Sequence, residues 1–198
     1  MKLWLKTIVA ALALWGGPAA AQVLTEYRAG ASQASAGTYY LGQSFTIPTA
    51  GSFNGFTFNF YSNANNTAVA PGTLFLYNAA YTGTPTQLGT PSASLLGSAT
   101  GANNVYTFNG VTLSGNTQYF AYSNAASPQV RFGSGGYAGG MGYQANGAGS
   151  AFASIGTNDI NFTVGAVPEP AAWGLMIVGF GAVGGTLRRR RRTIALAA

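Results

Sequence analysis

The chain has 198 residues, only 6% of them charged, and it contains neither Cys nor His. These absences exclude disulfides, Ser-His-Asp and Cys-His catalytic triads, and the usual zinc sites. The net charge of +6 comes from the two ends of the chain. Residues 22–166 carry four charged side chains that cancel, namely Glu26, Arg28, Arg131 and Asp159. That segment lacks the basic patch that nucleic-acid binding needs, so we expect no nucleic-acid partner.

Residues 1–21 have the pattern of a secretory signal peptide. Two lysines precede a short apolar run at residues 7–15, and a Gly-Gly-Pro break follows that run. Ala19 and Ala21 supply the small residues of a cleavage site, which makes Gln22 the predicted mature N-terminus. The alternative is an uncleaved anchor helix, but the apolar run is far shorter than the roughly 20 residues that span a bilayer.

Residues 22–166 are predicted to form an exported all-β domain. Phe56, Phe58 and Phe60 alternate with polar residues, which is the period of a half-buried strand. Turn residues such as Asn109-Gly110 separate the apolar runs. This spacing predicts an antiparallel β-sandwich of jelly-roll or immunoglobulin-like type. Its other candidate strands are residues 42–47, 74–77, 105–108, 117–122, 129–132, 151–155 and 160–164.

Residues 133–150 form a low-complexity stretch in which eight of 18 residues are glycine. So much glycine disfavours a regular strand and predicts a long loop. Two roles stay open for it: a flexible connection, or a loop that exposes Tyr137, Met141 and Tyr143 as contacts.

The C-terminal segment predicts a membrane anchor. Pro170 can open a helix, and residues 171–187 carry no charge. A helix of that length spans about 25 Å, slightly less than the hydrocarbon core of a bilayer. Arg188 to Arg192 would lie on the cytoplasmic side with the short tail 193–198, and the domain would lie outside the inner membrane.

This C-terminal pattern resembles the PEP-CTERM sorting signal in its PEPxxWA form, with Gly174 in place of the usual alanine. The resemblance implies that an exosortase, a membrane transpeptidase of Gram-negative bacteria that make exopolysaccharide, recognises residues 167–192. It also implies a transient anchor in the inner membrane, cleavage near the motif, and release or transfer to the cell surface. The same tail is sometimes labelled an ice-binding-protein C-terminal domain. The residues that carry the likeness are Pro168, Glu169, Pro170, Trp173, Gly179, Phe180, Gly181, Gly184, Arg188, Arg189, Arg190, Arg191 and Arg192.

The domain ahead of the tail is similar to the choice-of-anchor group of small β-domains. The likeness rests on three loose patterns, at residues 42–46, 74–77 and 111–115. It implies a sandwich fold and no defined chemistry.

Residues 22–166 offer little material for catalysis. Glu26 and Asp159 are the only acidic residues of this segment. A glycosidase needs two carboxylates that flank the glycosidic bond it cleaves. The alternatives for these acids are a salt bridge to Arg28 or Arg131, or exposure to solvent. No metal or cofactor is predicted.

The interpretation that we favour is a non-enzymatic surface or matrix protein of biofilm type, associated with exopolysaccharide. The second is a carbohydrate- or ice-binding module, although the sequence lacks the regular Thr-x-Thr repeat that a flat ice-binding face needs. The third is a glycoside hydrolase built on Glu26 and Asp159. Aromatic rings and hydroxyls suit sugars, and the candidate exposed rings are Tyr39, Tyr40, Tyr61, Tyr81, Tyr122, Tyr137 and Tyr143.

Overall fold

The computed structural model describes residues 22–29, 39–62, 67–126, 129–133, 135–167, 174 and 177–184. One compact unit spans Gln22–Val167 and is called the body below. Almost all of its regular structure is antiparallel β-sheet. The prediction of an all-β, antiparallel fold is therefore confirmed.

The first sheet has five strands and is built around the long strand β3. β13 pairs with one edge of β3, whereas β7 and β4 follow one another along its other edge. β1 pairs with the free side of β13, so the first and last strands of the body are neighbours. The strands are β1 (Val23–Tyr27), β3 (Ser52–Ser62), β4 (Thr67–Val69), β7 (Tyr106–Ser114) and β13 (Phe162–Ala166).

The second sheet has six strands, in the order β11-β10-β2-β8-β5-β6. A third, two-stranded sheet pairs β12 with β9. The remaining strands are β2 (Tyr39–Ile47), β5 (Thr73–Tyr77), β6 (Leu95–Thr100), β8 (Thr117–Ser123), β9 (Phe132–Gly133), β10 (Gly142–Asn146), β11 (Ala153–Ser154) and β12 (Asp159–Ile160). A short 3-10 helix, Pro85–Gln87, lies between β5 and β6.

The two larger sheets pack together through one apolar core. Phe56, Phe58 and Phe60 of β3 are at most 1% exposed, as their alternation predicts. The ring of Phe45 on β2 lies 5.6 Å from that of Phe58 and 6.0 Å from that of Phe162. Burial of aromatic and aliphatic side chains is the main term that holds a chain without disulfides.

Several predicted elements need correction. β7 continues through Asn109-Gly110 because Gly110 adopts φ 74° within the strand, so the predicted turn there is wrong. Residues 129–132 form no strand of their own apart from Phe132 in β9. Instead, Arg131 bridges two segments: its backbone N–H donates to the Tyr61 carbonyl, and its carbonyl accepts from the Asn161 N–H. Four strands were not predicted at all: β1, β4, β6 and β10.

The glycine-rich stretch is also different from its prediction. It contains the regular strand β10, which pairs with β2 over five residues. Gly140 lies so close to the Ser44 backbone that a Cβ would clash with it, which explains why glycine is required there. Tyr137 anchors the stretch, since its ring lies 5.2 Å from that of Phe162 and its hydroxyl lies 2.7 Å from Thr25 Oγ1.

The C-terminal segment is described only at residue 174 and residues 177–184, all of them helical. These residues lie inside the predicted helix 171–187, whose other positions fall outside the described residues. Every side chain from 177 to 184 is exposed, among them Ile177, Val178 and Phe180 at 68–71%. Within the part of the chain that the structure describes, no helix is long and apolar enough to cross a membrane.

Candidate sorting segment and aromatic face

The body ends in strand β13, whose last residues are held by backbone hydrogen bonds. Ala166 at the end of β13 donates its N–H to the Gln22 carbonyl at 2.8 Å. Val167 donates to the Gly55 carbonyl at 3.3 Å. Gly55 has φ 79° and lies where the register of β3 with β7 shifts, between Asn54 and Phe56. Both chain ends of the body therefore lie side by side at one end of the five-stranded sheet.

Glu26 and Arg28 form an ion pair on the outer face of that sheet. Arg28 Nε lies 3.2 Å from Glu26 Oε2, and both side chains are more than 40% exposed. The Arg28 guanidinium lies over the Tyr61 ring, 4.3 Å from its centroid, and donates to Thr163 Oγ1. This is one of the partners that the sequence allowed for Glu26.

Asp159 has a different environment, because it is 1% exposed. Its carboxylate accepts hydrogen bonds from Gln43 Nε2 at 2.8 Å and from the Tyr137 backbone N–H at 2.7 Å. The side-chain oxygen of Gln43, Oε1, in turn accepts a hydrogen bond from the Ile160 backbone N–H. Glu26 and Asp159 thus belong to separate networks, each with partners that explain its position.

The outer face of the six-stranded sheet carries a second apolar cluster, which we call the aromatic face. Alternate residues of its strands point away from the main core, so that β2, β5, β6 and β8 carry apolar side chains on both faces. Paired positions place Tyr143, Gly42, Tyr122 and Phe75 in one row across β10, β2, β8 and β5. The members of the face are Tyr40, Phe75, Tyr77, Leu95, Phe120, Tyr122, Tyr143 and Ala145.

Gly42 makes this row possible. A Cβ at Gly42 would overlap the Tyr122 ring, so the ring lies directly over the backbone of β2. Tyr122 is fully buried as a result, and its hydroxyl accepts a hydrogen bond from the Tyr81 N–H at 3.1 Å.

Two loops cover part of the aromatic face. Tyr81 stacks on Tyr77 with 5.0 Å between ring centroids, and Phe152 lies 4.8 Å from Tyr122. The Gly89 N–H donates to the Tyr77 hydroxyl, which fixes the loop between β5 and β6 over the sheet. This cover buries the part of the face over β5 and most of β8.

The part over β2, β10 and the Gln118 end of β8 is only partly covered. We call it the tyrosine patch and define it by Thr46, Gln118, Phe120, Met141 and Tyr143, among which the Phe120 ring is buried at 8% exposure and supports the others. Met141 is 41% exposed and Tyr143 is half-buried. The Tyr143 ring is held by edge contacts with Phe120 at 6.2 Å and with Tyr122 at 5.5 Å.

The rim of the tyrosine patch is polar. Thr46 Oγ1 and Gln118 Nε2 both donate to the Gly139 carbonyl, at 2.6 Å and 3.3 Å. The exposed Gln118 amide has a second N–H and a carbonyl oxygen that face solvent-accessible space. The patch therefore combines a fixed aromatic surface with side-chain hydrogen-bonding groups.

Burial raises the pKa of Tyr77, Tyr81, Tyr122 and Tyr143 above the usual 10.0, although hydrogen bonds partly offset the effect for Tyr77, Tyr122 and Tyr143. These hydroxyls stay protonated at physiological pH. The strands of the six-stranded sheet contain no Asp, Glu, Lys or Arg, and neither do residues 78–94 and 147–152. The aromatic face is thus electrically neutral.

The sequence predicted some of these positions and missed others. Tyr122 and Tyr61 are 0% and 7% exposed, so the prediction that their rings are accessible is wrong. Tyr143 is part of the patch, whereas Tyr39, Tyr40, Tyr81 and Tyr137 are half-buried elsewhere. The sequence analysis did not predict that Phe120 and Gln118 belong to such a surface. The only local signal for them is the apolar run of β8.

Most of the predicted sorting residues lie outside the described residues. These are Ala19, Ala21, Pro168, Glu169, Pro170, Trp173 and Arg188 to Arg192. Gly179, Phe180 and Gly181 lie in the helical residues 177–184, and Gln22 pairs with Ala166. Among the residues described, no group of three His, Cys, Asp or Glu side chains could hold a metal ion.

Comparison with known proteins gives one positive result. Residues 166–192 match the family model of the PEP-CTERM protein-sorting motif. Comparison with the curated proteins found no match, and comparison with the solved structures found none. PEP-CTERM signals are recognised by exosortase, and they imply export with a transient membrane-anchored step before the cell surface. The chain therefore carries a PEP-CTERM sorting motif, which indicates an exosortase-targeted, secreted surface protein.

Proposed function

We propose that the body is a non-enzymatic component of the cell surface or extracellular matrix that associates with exopolysaccharide. In this proposal a signal peptide, residues 1–21, directs export, and the C-terminal segment holds the chain in the inner membrane until an exosortase-like transpeptidase cuts near Pro168-Glu169-Pro170. The observation that carries the proposal is the motif match, which begins at the last residue of β13. The sorting segment thus follows the folded body directly.

Two features of the described residues support the finer steps. The helical residues 177–184 expose apolar side chains on all sides, which suits lipid or a membrane protein more than water. In the body, Glu26 and Asp159 belong to separate hydrogen-bond networks, one exposed and one buried, so they do not form the carboxylate pair that a glycosidase uses. The first feature supports the membrane-anchored step, and the second supports a non-enzymatic body.

Processing can be tested by replacing Pro168-Glu169-Pro170 with three alanines in the native host. We expect a longer product that stays in the membrane fraction, because the segment recognised for cleavage is lost. Immunoblots of fractionated cells against the body measure both size and location. A matched control replaces the exposed Thr90-Pro91-Ser92 with alanines, and it should be processed normally. A native-size product from the first variant would contradict the proposal.

The non-enzymatic role has its own test. Purified protein should leave the chain length of the host's exopolysaccharide unchanged on size-exclusion chromatography. Depolymerisation that disappears in Glu26→Gln would instead support the hydrolase interpretation.

A further inference from the structure

We propose that the tyrosine patch on the six-stranded sheet binds an uncharged polysaccharide. This inference rests on the proposed association with exopolysaccharide and deepens it, since it names the surface and the chemical class of the ligand. Its residues are Thr46, Gln118, Phe120, Met141 and Tyr143.

The shape and rigidity of the patch suit a sugar ring. Sugar rings present flat C–H surfaces, which pack well on the face of an aromatic ring. Tyr143 is fixed by ring contacts with Phe120 and with the buried Tyr122. A ring that is already immobilised loses little conformational entropy when a ligand binds.

Hydrogen-bonding side chains at the rim of the patch suit sugar hydroxyls. Sugar hydroxyls both donate and accept, so they need side chains that do the same. The Gln118 amide provides one N–H and one carbonyl oxygen beyond its bond to Gly139, and the Thr46 hydroxyl lies beside it. These groups flank the aromatic surface rather than interrupt it.

The absence of charge around the patch favours a neutral ligand. The whole six-stranded sheet and the loops that cover it lack ionisable side chains other than tyrosine. An anionic polysaccharide would find no cation here to compensate for its desolvation. A neutral chain meets no such cost, so charge complementarity selects it over a uronate or sulfated polymer.

The outer face of the five-stranded sheet does not combine an aromatic surface, a polar rim and the absence of charge. This face has the Glu26–Arg28 ion pair and small side chains such as Thr57 and Thr107, which lie opposite each other on β3 and β7. It provides a matched control surface on the same molecule.

The test measures binding of the full chain, purified in detergent, to beads that carry dextran, galactomannan or alginate, with isothermal titration for soluble polymers. We expect binding to a neutral polymer that does not change with salt, and none to alginate. Tyr143→Ala should weaken it by at least about tenfold, or about 1.4 kcal/mol. Tyr143→Phe should keep it because the ring remains, and Gln118→Ala should weaken it without affecting the fold. Thr107→Ala on the opposite sheet should have no effect.

Each other result overturns a definite part of the proposal. If Tyr143→Ala and Gln118→Ala bind a neutral polymer as well as the native protein does, the tyrosine patch is not the binding surface. The proposed association with exopolysaccharide would then still stand. Binding to alginate alone would reject the ligand class. A Tyr143-dependent dimer without polysaccharide binding would assign the patch to a second copy of the chain. Failure of C-terminal processing in cells would reject the sorting proposal and leave the binding result unaffected.

Discussion

Asp159 and Gln43 are joined inside the body by a hydrogen bond of 2.8 Å from the Gln43 amide to the Asp159 carboxylate. The same carboxylate accepts the Tyr137 N–H, so one buried acid connects β2, β12 and the glycine-rich stretch. A buried carboxylate is tolerated only when such donors compensate for its lost hydration.

Asp159→Asn should therefore destabilise the body by about 1–3 kcal/mol, because the new NH₂ group faces an N–H donor in place of an oxygen. Urea unfolding followed by tyrosine fluorescence measures the loss. Glu26→Gln is the matched control, since it neutralises an exposed ion pair that contributes about 0–1 kcal/mol. If both variants lost the same free energy of unfolding, the buried hydrogen bonds of Asp159 would contribute no more stability than the exposed ion pair of Glu26.

Gly42→Ala tests the packing of the aromatic face. The added methyl group would overlap the Tyr122 ring, and overpacking of this kind costs about 1–3 kcal/mol. The expected result is a lower urea midpoint together with a changed near-ultraviolet circular dichroism signal from the displaced rings. Gly149→Ala is the control, since a Cβ at Gly149 meets nothing within 4 Å. A Gly42→Ala protein as stable as the control would contradict the described row of side chains.

The body should lose stability in alkali. Burial raises the pKa of Tyr77, Tyr81, Tyr106, Tyr122 and Tyr143, so each keeps its proton in the folded state at pH values where the unfolded chain has lost it. The folded state then binds more protons than the unfolded state, and the free energy of unfolding falls as pH rises above 10. Below pH 10 both states are protonated and these residues contribute no pH dependence.

Thermal unfolding at a series of pH values checks this expectation. Each such tyrosine contributes a slope of at most about 1.4 kcal/mol per pH unit, at pH values between its unfolded-state and folded-state pKa. Tyr122→Phe removes one titrating group, so its melting temperature should fall less steeply with pH than that of the native protein. Parallel curves would mean that Tyr122 ionises as easily in the fold as in the unfolded chain.

Deleting Arg188–Arg192 should impair retention in the inner membrane or processing there. A basic cluster on the cytoplasmic side opposes translocation of the segment before it. Cell fractionation with immunoblotting gives the readout. Replacing the five arginines with lysines preserves the charge and serves as the control. Normal processing of the deletion variant would argue against the anchoring role.

The sequence predicted the centre of each sheet better than its edges. Strands such as β3 and β8 carry alternating or continuous apolar residues because one or both faces are buried, and this pattern is local. β1, β4 and β6 lie at sheet edges and include small or polar residues, so their conformation depends on pairing with a neighbour. β10 was missed for another reason: its glycine-rich surroundings suggested a loop, whereas Gly140 is required by close approach to Ser44 of β2 and Gly142 by close approach to Asn158.

The tyrosine patch could not be derived from the sequence either. Tyr143 and Phe120 are 23 positions apart, and they become neighbours only through the pairing of β10 and β8 with β2. Tyr122, two residues further along β8, was predicted to be accessible, but the Tyr81 and Phe152 rings cover it. Which ring is covered depends on loops whose conformation has no periodic signal.

The position of β13 has a mechanical consequence. β13 is hydrogen-bonded to β1 on one side and to β3 on the other, and it leads directly into the sorting segment. If the body is tethered through this end and held elsewhere by a matrix polymer, tension acts along the axis of β13. The hydrogen bonds on both its sides then share the load in shear and do not open one after another. Such a link would resist flow and drag on a bacterial surface better than one attached through a strand at the margin of a sheet.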